Sequence, residues 1–218
     1  MLQHCIESSR FAHYNMEPFF YNTIERPTQA EFKDRGSRFI AFAYPVDAIE
    51  DCKKILQILK KEHPKAVHHC LAYRLGVAGD TFRVSDDGEP SGSAGRPILG
   101  QIDSKQLTNV LVIVVRYFGG TLLGVPGLIN AYKTATSLAL QLTPILQKPI
   151  EVTFTLQFDY QLMNDVMMVL KQLGCTVQDQ EAQLFVLMHI GVPKNRIADF
   201  EYKMADLHSV TYSRALKV

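Results

Sequence analysis

Hydrophobic and polar positions follow two different patterns along this chain, which indicates two differently built parts. In the first part, runs of aromatic and β-branched residues indicate strands at 18–24, 31–33, 37–44, 66–77 and 109–117. The last run, NVLVIVVRY, is nearly all apolar, which is typical of a central strand buried on both faces. Helical spacing of apolar residues predicts helices at 47–62 and 127–142, with one or two further helical turns within 97–106.

Two of these helices carry additional local signals. Asp47, with Glu50 three residues later, fits a capping box at the start of the first helix. In the last helix, small residues recur every four positions, which predicts close packing against a sheet, at Ala131, Ala135 and Ala139.

Beyond residue 150 the pattern changes to clean alternation. It predicts, in order, a strand, a helix, two strands, a helix and a strand, at 151–158, 160–173, 175–180, 183–190, 194–207 and 209–216. The order β-α-β-β-α-β is that of a ferredoxin-like fold. We therefore predict an α+β protein with domains at 17–143 and 150–218, a linker at 144–149, and an unassigned extension at 1–16.

Composition limits the classes of function. The 218 residues are 47% hydrophobic with a net charge of +1, so there is no global electrostatic case for nucleic acid or a membrane surface. No apolar run reaches the roughly 18 residues needed to span a bilayer, and a secretory leader pattern is lacking. The four cysteines form no CxxC pair, as expected of free thiols in the cytosol. We expect a cytoplasmic protein with no membrane partner.

The stretch SDDGEPSGSAGRPIL, residues 85–99, carries the densest candidate chemistry. Glycine and proline interrupt helix and ladder there, and a long loop in a compact domain is usually functional or disordered. A divalent metal is one interpretation of its acids, but they lack a further ligand, so we expect no metal and no cofactor. The candidate residues of this loop are Asp86, Asp87, Glu89, Ser91 and Ser93. The two serines lack a nucleophile elbow, so we assign no catalytic residue.

Arg116 ends the otherwise apolar run at 109–117, and a buried arginine needs a paired acid or a ligand phosphate. The candidate protein partners are the loop acids at 86, 87 and 89. Pairing with one of them and contact with a ligand phosphate both remain open. Arg96 faces the same choice, with exposure favoured.

A glycine-rich turn follows Arg116 at 119–127. Such a turn before a helix exposes backbone N–H groups that can hold an anion, and it equally permits a tight turn with no ligand. Both interpretations remain open for its glycines, Gly119, Gly120, Gly124 and Gly127.

The motifs SDDGEPSGSAGRPIL, VVRYFGGTLLGVPGLINAY, KDRGSRF and the His68-His69-Cys70 strand together resemble the IMPACT/YigZ family, over roughly residues 17–218. The resemblance implies a first domain like the second domain of ribosomal protein five of the small subunit, and a second like modules of elongation factor G. It also implies a link to translational control, and it places His69 beside the acidic loop.

We predict a non-enzymatic, translation-linked regulator that binds RNA, the ribosome or a translation-associated protein, without sequence-specific DNA binding. In the nucleic-acid interpretation, phosphate contacts come from Arg38, Arg96, Arg116 and the glycine turn. One alternative is a phosphate- or nucleotide-binding enzyme that uses the turn and the acidic loop. The other is a protein-interaction module without a ligand, which predicts that Arg116 is paired.

Overall fold

A computed structural model describes residues 18–215. The extension at 1–16 lies outside these residues. The first part of the described chain contains, in order, β1 Phe20–Ile24, β2 Thr28–Asp34, β3 Ser37–Pro45, α1 Ile49–Glu62, β4 His68–Leu75, β5 Thr81–Ser85, α2 Gly95–Ser104, β6 Val110–Tyr117, α3 Gly124–Gln141 and β7 Ile145–Pro149.

The main sheet has the strand order β2-β3-β6-β4-β5, and all neighbours are antiparallel. The predicted central strand is confirmed, since β6 is buried from Val110 to Arg116. Alternate side chains of β6 face opposite layers. Val112 and Val114 pack in the core beneath α2 and α3, whereas Leu111 and Ile113 pack in the core beneath α1. The first part is therefore a three-layer arrangement with the sheet in the middle.

Helix α3 packs on this sheet through small residues. The predicted stripe is confirmed, because Ala131, Ala135 and Ala139 are all fully buried. The capping box at α1 is wrong: Ala48 precedes the helix and contributes no side-chain cap. The Asp47 carboxylate instead accepts a hydrogen bond from Asn109 Nδ2, 3.2 Å away, which ties the helix start to the sheet.

The helical turns predicted within 97–106 are confirmed by α2, whereas strand β5 and the first residues of α2 lie where the sequence predicts no regular element. Strand β5 was missed because its residues are mostly polar and exposed at a sheet edge. Helix α2 begins at Gly95, inside the predicted loop, with Pro97 in its first turn, where a missing N–H does no harm. The irregular part of the loop is thereby reduced to 86–94.

The segment predicted as a linker is also a strand. Strand β7 pairs antiparallel with β1 from Ile145 to Pro149. Tertiary pairing with a distant segment, which local sequence does not reveal, fixes this conformation. The predicted domain bounds themselves stay a prediction.

The second part contains β8 Glu151–Phe158, α4 Met163–Leu173, β9 Thr176–Ala182, β10 Val186–Pro193, α5 Ile197–Asp206 and β11 Thr211–Arg214. Its sheet has the antiparallel order β11-β8-β10-β9. The element order and the sheet order together confirm the α+β class and the ferredoxin-like second part. Within residues 18–215, no helix is both long enough and apolar enough to cross a bilayer.

Candidate functional site

The acidic loop at 86–94 is held in place by Asp86. Its carboxylate accepts hydrogen bonds from the backbone N–H groups of Gly92, Ala94 and Gly95, at 2.9, 3.1 and 2.8 Å. Two of these groups lie at the start of α2, whose preceding residue offers no side-chain cap. Burial raises the pKa of Asp86, but the three N–H donors outweigh it, so the pKa lies below its ordinary value. Asp86 is therefore a structural anchor.

Asp86→Ala is expected to lower the free energy of unfolding at neutral pH by about 2 kcal/mol, as for other lost helix caps. Because the pKa of Asp86 is lower in the folded than in the unfolded chain, this stabilisation is present above the unfolded pKa. It disappears as pH falls through the folded pKa. Urea unfolding of the native chain and of Asp86→Ala, from neutral pH down to below the folded pKa, measures the difference in their free energies of unfolding. If this difference does not become smaller in acid, Asp86 is not the anchor described here.

Glu89 and Arg116 form a buried ion pair. Arg116 Nη1 donates to Glu89 Oε1 at 2.6 Å, and both side chains are at least nine-tenths buried. The Tyr132 hydroxyl donates to the same oxygen at 2.7 Å. The Arg116 guanidinium lies over the rings of Phe39 and Phe118, 5.4 and 5.7 Å from their centroids. Of the two open interpretations, the loop acid is the partner in this structure, and phosphate contact by Arg116 stays a prediction.

Cys70 joins this network from β4. Its thiol donates to the Asp86 carbonyl at 2.9 Å and lies 3.3 Å from the Tyr132 hydroxyl. Burial raises the pKa of Cys70 to about 12, so the group is a neutral thiol under ordinary conditions. Burial also raises the pKa of Tyr132. Both side chains act as neutral hydrogen-bonding groups beneath the loop.

The two histidines of β4 face opposite sides of the sheet, as the strand alternation predicts. His68 Nδ1 donates to the Asp87 carbonyl at 2.8 Å, and its Nε2 lies 3.9 Å from Glu89 Oε1. His69 lies beside the acidic loop, because its backbone N–H donates to Asp87 Oδ2 at 2.7 Å. Burial lowers the pKa of His69, and its buried Nε2 has no hydrogen-bond partner among the described residues.

The glycine turn is shorter than predicted and is shaped by packing. Helix α3 begins at Gly124, so Gly124 and Gly127 belong to the helix. At Gly119, an added Cβ would lie 1.9 Å from the carbonyl carbon of Gly36. The Gly119 N–H donates to Ser37 Oγ at 3.2 Å. Close approach of two backbones therefore explains this glycine, while Gly120, at φ +86°, has open space around it.

A cleft of about 370 Å³ lies between the acidic loop, the ends of β4 and β6, and the start of α3. Its lining is mainly apolar, with polar groups from His68, Glu89 and Arg116. Large exposed apolar side chains also line it, namely Val67, Phe118, Leu122 and Val125. Leu122 is 83% exposed, and together with the three other exposed apolar side chains of this lining it makes a contiguous apolar patch rather than a single exposed residue.

The remaining predicted residues lie outside this lining. Arg38 is exposed and bonds Glu31 through two nitrogens, at 3.2 and 2.9 Å. Arg96 and Ser91 are exposed, whereas Ser93 is buried and donates to the Pro90 carbonyl at 2.6 Å. Phosphate binding by the predicted set of arginines and glycines stays a prediction.

The loop acids do not converge. Asp86 binds the start of α2, Asp87 contacts His69 and Lys60, and Glu89 binds Arg116. Among residues 18–215, no cluster of histidine, cysteine and acidic side chains has an arrangement that could hold a metal ion.

Sequence reasoning did not select three members of the site, Tyr132, His68 and Leu122, although His68 stands in the motif His68-His69-Cys70. Tyr132 could have been found, because it stands beside Ala131 and one turn from Ala135 on the small-residue face of its helix. His68 shares its strand face with Cys70. The exposed Leu122 had a weaker signal, an apolar pair inside a glycine-rich turn.

These features define a two-domain α+β protein whose first part carries an apolar cleft above a neutralised ion pair. The model of the Impact N-terminal domain matches residues 35–140. YigZ of Escherichia coli, an IMPACT family member, is 37% identical over 79% of this chain and 85% of its own length. An IMPACT family member of Haemophilus influenzae is 33% identical over 80% of this chain and 86% of its own length.

A solved structure described as a hypothetical protein is 31% identical to this chain. It superposes with a TM-score of 0.73 over 92% of this chain and 98% of its own. The chain belongs to the IMPACT family.

Proposed function

We propose that this protein is a cytoplasmic, translation-linked regulator that docks a translation-associated protein through the cleft of its first part. Membership in the IMPACT family supports the link to translation, because resemblance to that family implies a role in translational control. One observation supports docking at this place. The cleft has an apolar lining with the exposed Leu122, and the ion pair beneath it, Glu89 with Arg116, has its two charges matched to each other.

The character of the cleft favours a protein partner over a phosphate. Arg116 has its charge matched by Glu89, and a phosphate in the cleft would face that buried carboxylate. Exposed Leu122, Phe118 and Val125 instead offer apolar area of the kind that makes up the buried core of protein interfaces. The partner therefore contributes an apolar side chain, which enters the cleft and displaces water.

RNA or ribosome binding through phosphate contacts is the second candidate. Arg96 supports it, because this side chain is exposed and has no ion-pair partner among the described residues. Arg38 supports it less, since Glu31 occupies its guanidinium. Phosphate contacts make affinity fall steeply with salt, whereas apolar docking does not, so a salt series separates the two modes.

Leu122→Glu is expected to weaken association with ribosomes or ribosome-bound factors by roughly thirtyfold, or about 2 kcal/mol, the loss typical of a central apolar contact. Its stability is expected to change by no more than about 0.5 kcal/mol, because the side chain is exposed. The association is measured by co-sedimentation across a salt series, with salt-washed and unwashed ribosomes from the organism that makes this protein.

Leu184→Glu is the matched control, because Leu184 is 84% exposed but belongs to the second part. Retained binding in Leu184→Glu with loss in Leu122→Glu supports docking in the cleft. The opposite result is binding that falls with salt, weakens in Arg96→Ala and is unchanged in Leu122→Glu. It supports phosphate contact and rejects docking in the cleft. No association at any salt rejects the link to ribosomes.

A further inference from the structure

A second groove lies on the opposite face of the main sheet from the cleft. It has a volume of about 260 Å³ and runs between α1 and the edge strand β5. Helix α1 contributes residues one turn apart on one face, and β4 and β5 contribute the rest of the lining. The lining residues that matter below are Ile49, Cys52, Lys53, Leu71, Tyr73 and Arg83. The groove belongs to the core layer beneath α1, whereas the cleft borders the layer beneath α3.

The floor and rim of this groove differ in character. Leu71, Tyr73 and Cys52 are buried and make an apolar floor, and Ile49 is partly exposed at one end. Lys53 and Arg83 are exposed at the rim. Neither side chain has an ion pair or hydrogen bond among the described residues, although Glu50 lies one turn before Lys53. The groove is thus apolar below and carries two unmatched positive charges above.

Strand β5 adds a backbone edge to this groove. It is the last strand of the sheet, and it pairs only with β4 among the described residues, from Thr81 to Ser85. No other hydrogen bond within the described residues reaches its backbone. Such an edge can accept a further strand, and alternate side chains of that strand would face α1. Arg83 and Ser85 face α1 in the same way, because their partners Tyr73 and Leu71 pack beneath that helix.

We propose that this groove binds an extended acidic peptide segment of a partner protein, which adds a strand to β5. One apolar side chain of the segment enters the groove between α1 and β5. Acidic side chains two positions before and after it pair with Lys53 and Arg83. Hydrogen bonds to the backbone of β5 supply affinity. The apolar floor favours an apolar side chain in the groove, and the positive charges at the rim favour acidic side chains beside it. This site is independent of the proposed function, since it shares no residue with the cleft.

The test uses the full chain and an acetylated, amidated peptide, Thr-Glu-Thr-Leu-Thr-Glu-Thr. Amide chemical shifts locate binding, and titration at low ionic strength measures affinity. The peptide is expected to shift amides of β5 and α1. The double variant Lys53→Glu/Arg83→Glu is expected to weaken binding about tenfold, as for two rim charges reversed. Both side chains are exposed, so the variant is expected to fold normally.

Two control peptides decide the outcome. Replacing both glutamates by lysine is expected to abolish binding to the native chain and to restore it in the charge-reversed variant. Proline at both inner threonines is expected to abolish binding to either chain, because proline disfavours a paired strand. Absence of shifts in β5, equal binding of acidic and basic peptides to the native chain, or undiminished binding of the proline peptide each overturns the proposal.

Discussion

Replacing Glu89 by alanine is expected to lower the free energy of unfolding by about 3–5 kcal/mol, the usual loss when one member of a buried ion pair is removed. The substitution leaves the Arg116 guanidinium buried without its carboxylate and the Tyr132 hydroxyl without its acceptor. Urea unfolding at neutral pH measures the loss. The matched control is Glu31→Ala, because Glu31 pairs with Arg38 on the surface, and we expect a change of no more than about 1 kcal/mol there.

A double variant separates lost pairing from lost packing. Glu89→Leu combined with Arg116→Met removes both charges together, and it is expected to be more stable than Glu89→Ala, since apolar replacements of buried pairs are often tolerated. If Glu89→Ala is no less stable than Glu31→Ala, the ion pair does not have the structural weight that its burial indicates.

Gly119→Ala is expected to destabilise the protein by about 4 kcal/mol, in the range of severe overpacking. The new Cβ would lie 1.9 Å from the carbonyl carbon of Gly36 and 2.2 Å from the nitrogen of Ser37. Neither backbone can withdraw freely, because Arg38 and Tyr117, just beyond the contact, are paired in the ladder between β3 and β6. Thermal or urea unfolding measures the change.

Gly120→Ala provides the control for this prediction. Gly120 has a φ of +86°, but an added methyl group there would meet no atom within 4 Å, so only backbone strain opposes alanine. We expect a loss of about 1 kcal/mol. A loss at Gly119 no larger than that at Gly120 would mean that the two turns move apart easily.

Much of the fold could be predicted from the sequence because its strongest signals are local. The apolar run of β6, the alanine face of α3 and the alternation of β8 each report burial directly. Strand β5 could not be found this way, because an exposed edge strand keeps a polar sequence. Strand β7 could not be found either, because it depends on pairing with β1, more than a hundred residues earlier.

Part of the candidate site could likewise be predicted from the sequence, and part of it depends on the fold. The residue types of the acidic loop and the need of Arg116 for a partner follow from the sequence, since a buried charge has few solutions. Which acid takes that role depends on the path of the loop. Asp86 turns to the start of α2, and only Glu89 reaches under the loop to Arg116. The apolar lining of the cleft comes from four separate segments, and their meeting is a property of the fold alone.

The pairing of β1 with β7 bears on how the chain can be divided for expression. The match to the family model, residues 35–140, contains neither of these strands and also omits β2. A fragment with those bounds would present β3 as an open edge, which invites association with other chains. A fragment from 18 to 149 retains all three strands. Because it keeps the ladder between β1 and β7, we expect this fragment, about a quarter longer than the matched region, to stay monomeric more readily than 35–140.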